Sequence, residues 1–233
     1  MTTRRGAALA VMAQMPIPGR VKTRLQPHLT PQESADIYRA FLQDTLDLAA
    51  SMKGYTPFLA FAPQDRESYF AEIAPAPFHL LAQSEGDLGH RMLTVFLRLE
   101  RSGYSPMVVI GTDIPTLQPT HLQQALELLE ASDVCLGPST DGGYYLIGAR
   151  NPPACLFEGM TWSTSAVFQT TIERAEAAQL SLSLLEPCTD VDRIEDLLWL
   201  RREFARLKHM TGVRIPIRTD ACLAKLEPKI ACL

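Results

Sequence analysis

The chain has no uninterrupted run of about 18 uncharged apolar residues, so it offers no candidate membrane helix. It also lacks an excess of positive charge. Its 22 Lys and Arg stand against 26 Asp and Glu, a net charge of −4, which removes the electrostatic footprint of a general nucleic-acid binder. The five cysteines are odd in number, show no CxxC spacing and have no close His partner, which argues against a zinc site or a disulfide framework and fits a reducing cytoplasm. The phosphate-binding patterns GxxxxGK[ST] and GxGxxG are missing, and the five histidines show no HExxH spacing. No internal repeat or low-complexity linker divides the 233 residues, so one domain is expected.

What is present is enough apolar material, 46%, for a real core, arranged as short apolar runs that alternate with longer helical patterns. That rhythm is the signature of βαβ units around a mainly parallel sheet flanked by helices. Strands are expected at Ala8 to Ala13, Pro57 to Ala62, Phe78 to Ala82, Met107 to Ile110, Asp133 to Leu136 and Leu180 to Leu185. The first follows a start, Met1 to Arg5, that copies the outline of a signal peptide. Gln14, Pro16, Pro18 and Gly19 come too soon after it, however, and the segment reads as a buried strand. Cys135 lies inside an apolar run and reads as a small core residue.

Helices are expected from Pro31, with Thr30 and Glu33 as a capping box, and at Leu88 to Arg101, Pro119 to Ala131, Ser163 to Ala178 and Ile194 to Lys208. The turn at Asp141 leads into an aromatic strand that would run antiparallel. Residues 1–208 form the expected domain. The tract 209–233, polar and without pattern, reads as a C-terminal arm of unknown role.

Four constellations stand where chemistry is expected. Asp113, in Gly111-Thr112-Asp113-Ile114-Pro115, is delivered to the carboxyl rim of the sheet, where ligands of open α/β folds bind. The loop Pro18 to Leu25 packs Gly19, Arg20, Lys22 and Arg24 after the first strand, so its cations and backbone N–H groups suit a diphosphate or triphosphate. Asp192, in Asp190-Val191-Asp192, follows the last strand. Together with Asp113 it would offer Mg²⁺ or Mn²⁺ the sparse carboxylate ligation such ions accept when phosphates complete the shell. In Asp141-Gly142-Gly143-Tyr144 the paired glycines allow a close backbone approach and the tyrosine can meet a sugar ring. A weaker candidate is Gly86 to Arg91, at a helix N-terminus open to an anion.

Each pattern also has a structural reading: Asp113 as a helix cap, Lys22 and Arg24 as solvent-facing cations, Asp192 as complement to a helix dipole, and Asp141 as an ordinary Asp-Gly turn. In order along the chain, these segments, with Asp44-Thr45-Leu46 and Leu156-Phe157 followed by Trp162-Ser163-Thr164, resemble the bacterial GT-A glycosyltransferases named for arsenosugar biosynthesis. The likeness spans most of residues 8 to 200. It implies a nucleotide-diphospho-sugar transferase fold, with Asp113 as the metal-binding acid, Asp192 as the second acid, Lys22 and Arg24 at nucleotide phosphates, and Asp141 to Tyr144 on the sugar or acceptor side. Position 111 is Gly where a full DxD motif has Asp.

The function expected is therefore a metal-dependent glycosyltransferase that joins a nucleotide-sugar to a small-molecule acceptor, with Asp141 as base if the reaction inverts. The alternative is a nucleotidyltransferase that attacks an NTP and expels pyrophosphate, since the basic loop also resembles those of guanylyltransferases that charge phospholactate. A nucleotide-binding module without turnover is a third reading. Donor sugar, base, acceptor and any homo-oligomer stay open.

Overall fold

The structure, a computed structural model, describes residues 5–230; Met1 to Arg4 and Cys232 of the sequence reading lie outside the described residues. Seven strands form one sheet in the order β3-β2-β1-β4-β6-β5-β7. They are β1 Ala7–Gln14, β2 Tyr55–Ala62, β3 His79–Ala82, β4 Met107–Ile110, β5 Val134–Pro138, β6 Tyr144–Ala149 and β7 Leu182–Leu184. All pairings are parallel except those of β6, which runs antiparallel to β4 and β5. β1 and β4 are buried almost throughout because helices cover both faces, which explains why they read as continuous apolar runs.

The helices are α1 Pro31–Ser51, α2 Glu67–Ile73, α3 Leu88–Arg101, α4 Pro119–Ala131, α5 Ala154–Phe157, α6 Val167–Ala177, α7 Ile194–Leu207 and α8 Ile217–Ile230. One core cluster joins β1, β2 and β4 to α1 and α4, and a second joins the opposite sheet face to α3 and α5. A third, around Phe41, Phe204 and Leu226, ties α1, α7 and α8 together. The expected capping box is present: Thr30 Oγ1 accepts from Glu33 N at 3.2 Å and Glu33 Oε2 accepts from Thr30 N at 2.8 Å.

Two local expectations are corrected and two short helices are added. The tract after residue 209 contains α8, whose Leu223, Leu226 and Ile230 are buried; its apolar spacing is too sparse to stand out among the charges around it. α6 begins at Val167, because Ser163 adopts a left-handed backbone (φ 63°) and residues 163–166 form a turn. The short α2 and α5, of 7 and 4 residues, fall below the length at which periodicity shows. No helix of the described residues is long and apolar enough to cross a membrane.

Because β1 and β4 run parallel, their carboxyl ends open on the same edge, and antiparallel β6 begins there. Three loops therefore converge: residues 15–24 after β1, 111–118 after β4, and 139–143 between β5 and β6. The segment before α7 joins them through a hydrogen bond from Val191 N to Asp113 O of 2.9 Å.

Candidate functional site

The loops enclose a cleft of about 970 Å³. At its floor lies Lys22. A 3₁₀ turn at Thr23–Leu25, anchored by the buried Leu25, follows a left-handed backbone at Lys22 (φ 47°, ψ 42°) that turns the side chain inward. Such a conformation in a non-glycine residue costs about 1–2 kcal/mol and persists where the surroundings enforce it. Here they supply three oxygens. The Lys22 Nζ donates to Val191 O at 2.6 Å and meets Asp113 Oδ1 at 2.8 Å and Asp192 Oδ1 at 3.2 Å. Two of its N–H groups donate, to Val191 O and Asp192 Oδ1, while the contact with Asp113 Oδ1 is an ion pair outside hydrogen-bond geometry.

The Lys22 side chain is 3% exposed, and its stem runs past the Phe41 ring, 5.9 Å from Nζ to centroid. Burial pulls its pKa down, but Asp113 and Asp192 outweigh burial and hold it above the usual lysine value. Asp192 shows the complement. Burial pushes its carboxyl up, while Lys22 and Arg24 outweigh this and hold it below the ordinary carboxylate range.

The structure thus brings Asp113, Asp192, Lys22 and Arg24 together, though the cations do not sit as the sequence implies. Lys22 is buried against the two acids. Arg24 pairs through Nη1 with Asp192 Oδ2 at 2.7 Å, yet its side chain is 59% exposed and its remaining donors are open. Arg20, on the rim, forms no ion pair among the described residues, and Gly19 takes the positive φ (80°) that bends the loop there. Arg91 and Arg193 also line the cleft. The motif around Gly86 pointed to Arg91, whereas Arg193 had no signal beyond its neighbour Asp192.

Tyr38 stands behind the acids. Its hydroxyl accepts from Gln14 N at 2.9 Å and from Thr112 Oγ1 at 3.3 Å, and burial, with the Asp113 charge, pushes its pKa up to about 12.

Asp141 forms the turn that its structural reading describes: Oδ1 accepts from Ser139 Oγ and from Gly143 N, the latter at 2.9 Å. Beside it Asp190 accepts from Thr140 Oγ1 at 3.3 Å. Burial, then the charge of Asp141, raises the Asp190 carboxyl above its ordinary pKa. Gly142 (φ 90°) lies against residue 165, where a Cβ would fall 2.2 Å from the Ser165 carbonyl oxygen, so only glycine lets the two loops meet. Tyr144 opens β6 on the cleft wall, next to Trp162.

The acids fit a divalent ion in one way and not in another. Asp113 is 49% exposed although its Oδ1 is covered by Lys22, so its second oxygen faces the cleft and could join substrate phosphates in a metal shell. A metal bridging Asp113 and Asp192, the arrangement expected from the sequence, does not fit while the Lys22 ammonium lies between them and Arg24 takes the other Asp192 oxygen. Among the described residues no group of three or more His, Cys, Asp or Glu side chains forms a metal cluster.

Fold and cleft place the molecule among nucleotide-diphospho-sugar transferase folds. The crystal structure of a candidate nucleotide-diphospho-sugar transferase from Desulfovibrio desulfuricans G20 is 31% identical, covers 97% of each chain and superposes with a TM-score of 0.88. The chain belongs to the family described as uncharacterized protein conserved in bacteria (DUF2064), whose profile matches residues 45–164. More distant folds are also similar. CMP:2-keto-3-deoxy-manno-octonic acid synthetase, complexed with CTP, is 13% identical over 86% of this chain and 99% of its own, with a TM-score of 0.52. The 4-diphosphocytidyl-2C-methyl-D-erythritol synthase of Anaerococcus prevotii DSM 20548 is 9% identical over 86% and 97%, with a TM-score of 0.57. No curated protein sequence matches the chain.

Proposed function

We propose that the protein is a glycosyltransferase that takes a nucleotide-diphosphate sugar and a small-molecule acceptor. The observation that carries this reading is the division of labour among the cations. Lys22 is buried against Asp113 and Asp192, which leaves the arginines of the cleft, Arg20 and Arg24 of the β1 loop foremost, to meet a diphosphate. The narrower likeness to arsenosugar-associated enzymes rests on the sequence motifs alone.

In the reaction the bond between the sugar anomeric carbon and the diphosphate oxygen breaks, and the acceptor oxygen bonds to that carbon. Arg20 and Arg24 stabilise the charge left on the diphosphate. Asp113 would hold Mg²⁺ or Mn²⁺ through its open oxygen, and the ion would neutralise the same phosphates. If the reaction inverts, the acceptor proton passes to a carboxylate. Asp141 keeps Oδ2 free for it, and Asp190, made more basic by burial and by Asp141, stands next in line.

The test is product release. Incubated with Mn²⁺, a panel of NDP-sugars and NTPs, and candidate acceptors, the protein should release NDP, and Asp113→Asn should reduce turnover by a factor of about 10² or more while melting near wild type. Pyrophosphate release from an NTP would replace this reading with nucleotidyl transfer. Nucleotide binding with no product of either kind would make the protein a binding module.

A further inference from the structure

Gln83, which directly follows β3, is a polar side chain almost wholly inside the protein, 3% exposed. Three of its four polar atoms are engaged. The backbone N donates to Phe61 O at 2.8 Å, the backbone O accepts from Gln64 Nε2 at 2.7 Å, and Nε2 donates to Ala13 O at 3.1 Å and to Ala60 O at 2.7 Å. Both amide protons are thus spent on carbonyls of β1 and β2. A flipped amide would press its oxygen against those carbonyls, so the orientation is fixed. Oε1 alone has no hydrogen-bond partner among the described residues, and it is not one of the unpartnered atoms sealed from solvent. Gln83 lines the cleft, so the little surface it keeps opens there. An amide oxygen held in this way can only accept.

The residues around it suit the faces of a flat, apolar ring. Leu88 is 46% exposed and lines the same cleft, one turn of α3 from Met92, and Met12 of β1 lines it as well. Arg91, between Leu88 and Met92 in the chain, has its Nε tied to Gly86 O at 3.0 Å. Strand order decides which part of a nucleotide-sugar arrives here. β3 lies on one side of β1, and β6 with the turn 141–144 lies on the other. A donor whose diphosphate sits at the loop after β1 carries its sugar to one side and its nucleoside to the other. With the sugar at 141–144, the nucleoside falls toward β3 and Gln83.

We propose that Gln83 Oε1 accepts from an N–H on the edge of the nucleobase, with Leu88 and Met92 beside the ring, and that Gln83 is a specificity-determining residue for the base. An edge that presents a donor there completes the oxygen. An edge that presents an acceptor or a C–H seals the oxygen without a partner and is rejected. The inference rests on the reading of the cleft as a nucleotide-sugar site.

Calorimetry on the full chain with UDP, CDP, GDP, ADP and dTDP identifies the nucleotide bound, and ribose 5-diphosphate measures what is left without a base. Analogues of that nucleotide that carry C–H in place of a ring N–H, or lack the exocyclic amino group, should bind at least about tenfold more weakly at one edge position and within about twofold elsewhere. Gln83→Met should weaken the parent nucleotide about tenfold, lose nothing further for the sensitive analogue, and hold ribose 5-diphosphate within about twofold of wild type. The variant also strips two carbonyls of their donor, so a second reading uses wild-type protein. There the side-chain amide signal of Gln83 in a ¹⁵N–¹H spectrum should move with the nucleotide and stay in place with ribose 5-diphosphate. Ribose 5-diphosphate bound as tightly as the nucleotide, an edge with no sensitive position, or a Gln83 signal that stays still with the nucleotide bound overturns the base contact alone. Binding of none of these diphosphates overturns the reading of the cleft and the contact with it.

Discussion

At Lys22 a left-handed backbone turns an ammonium into the protein, where it donates to a carbonyl and to Asp192 and pairs with Asp113. The arrangement makes Lys22 the built-in cation of the acid pair. With Lys22 in place, a divalent ion finds only the open oxygen of Asp113 and should bind only when a nucleotide brings phosphates to complete its shell. Removing the ammonium frees the Asp113 and Asp192 oxygens that face it, which become available to a metal. Lys22→Ala is therefore expected to bind Mn²⁺ without nucleotide at least about tenfold more tightly than wild type, a gain of about 1.4 kcal/mol, and Asp192→Asn added to it should cancel the gain. The free-ion Mn²⁺ signal in electron paramagnetic resonance reads this directly. Nucleotide-free wild-type protein that holds Mn²⁺ as tightly as the variant would show that Lys22 does not occupy the pair.

Among the elements, α8 shows how the C-terminal tract joins the body. Asp44 of α1 is buried, and its Oδ2 accepts from both Thr219 N and Thr219 Oγ1 at 2.7 Å, while Oδ1 accepts from Arg218 N at 3.2 Å. It therefore serves as an N-terminal cap supplied by another helix, 175 positions from Thr219 in sequence. Its carbonyl accepts from the Arg214 guanidinium, and Lys229 pairs with Glu33 at 2.6 Å near the other end of α8. Removal of the cap leaves buried donors without an acceptor. Asp44→Ala should accordingly cost about 2 kcal/mol, seen in urea unfolding as a lower midpoint at an unchanged slope. A midpoint within error of wild type would mean that α8 does not depend on Asp44.

Across the whole molecule, the sheet and most helices were legible because their signals are local. Met107 to Ile110 is one apolar run with glycine behind it, and Thr30-Pro31-Gln32-Glu33 is a complete helix start. The convergence of Asp113, Asp192 and the loop of Lys22 was legible too, since parallel strands send their ends to one rim. What the sequence hid depends on side-chain direction or on distant contacts. Lys22 and Arg24 read either as cations for phosphates or as alternating solvent-facing ones, and the left-handed turn that sends Lys22 inward to the acids carries no sequence signal. The α8 cap joins residues too far apart for any motif.

The claim that binds these scales together is that one cleft receives a nucleotide diphosphate at the β1 loop and its sugar at the β6 wall. A crystal structure with an NDP-sugar and Mn²⁺ tests it most directly. The diphosphate should lie within hydrogen-bond reach of Arg20 and Arg24, the ion on the open oxygen of Asp113, and the sugar against the turn 141–144. A nucleotide bound elsewhere, or one whose phosphates meet the β6 wall while its base fills the loop of Arg20 and Arg24, would contradict it.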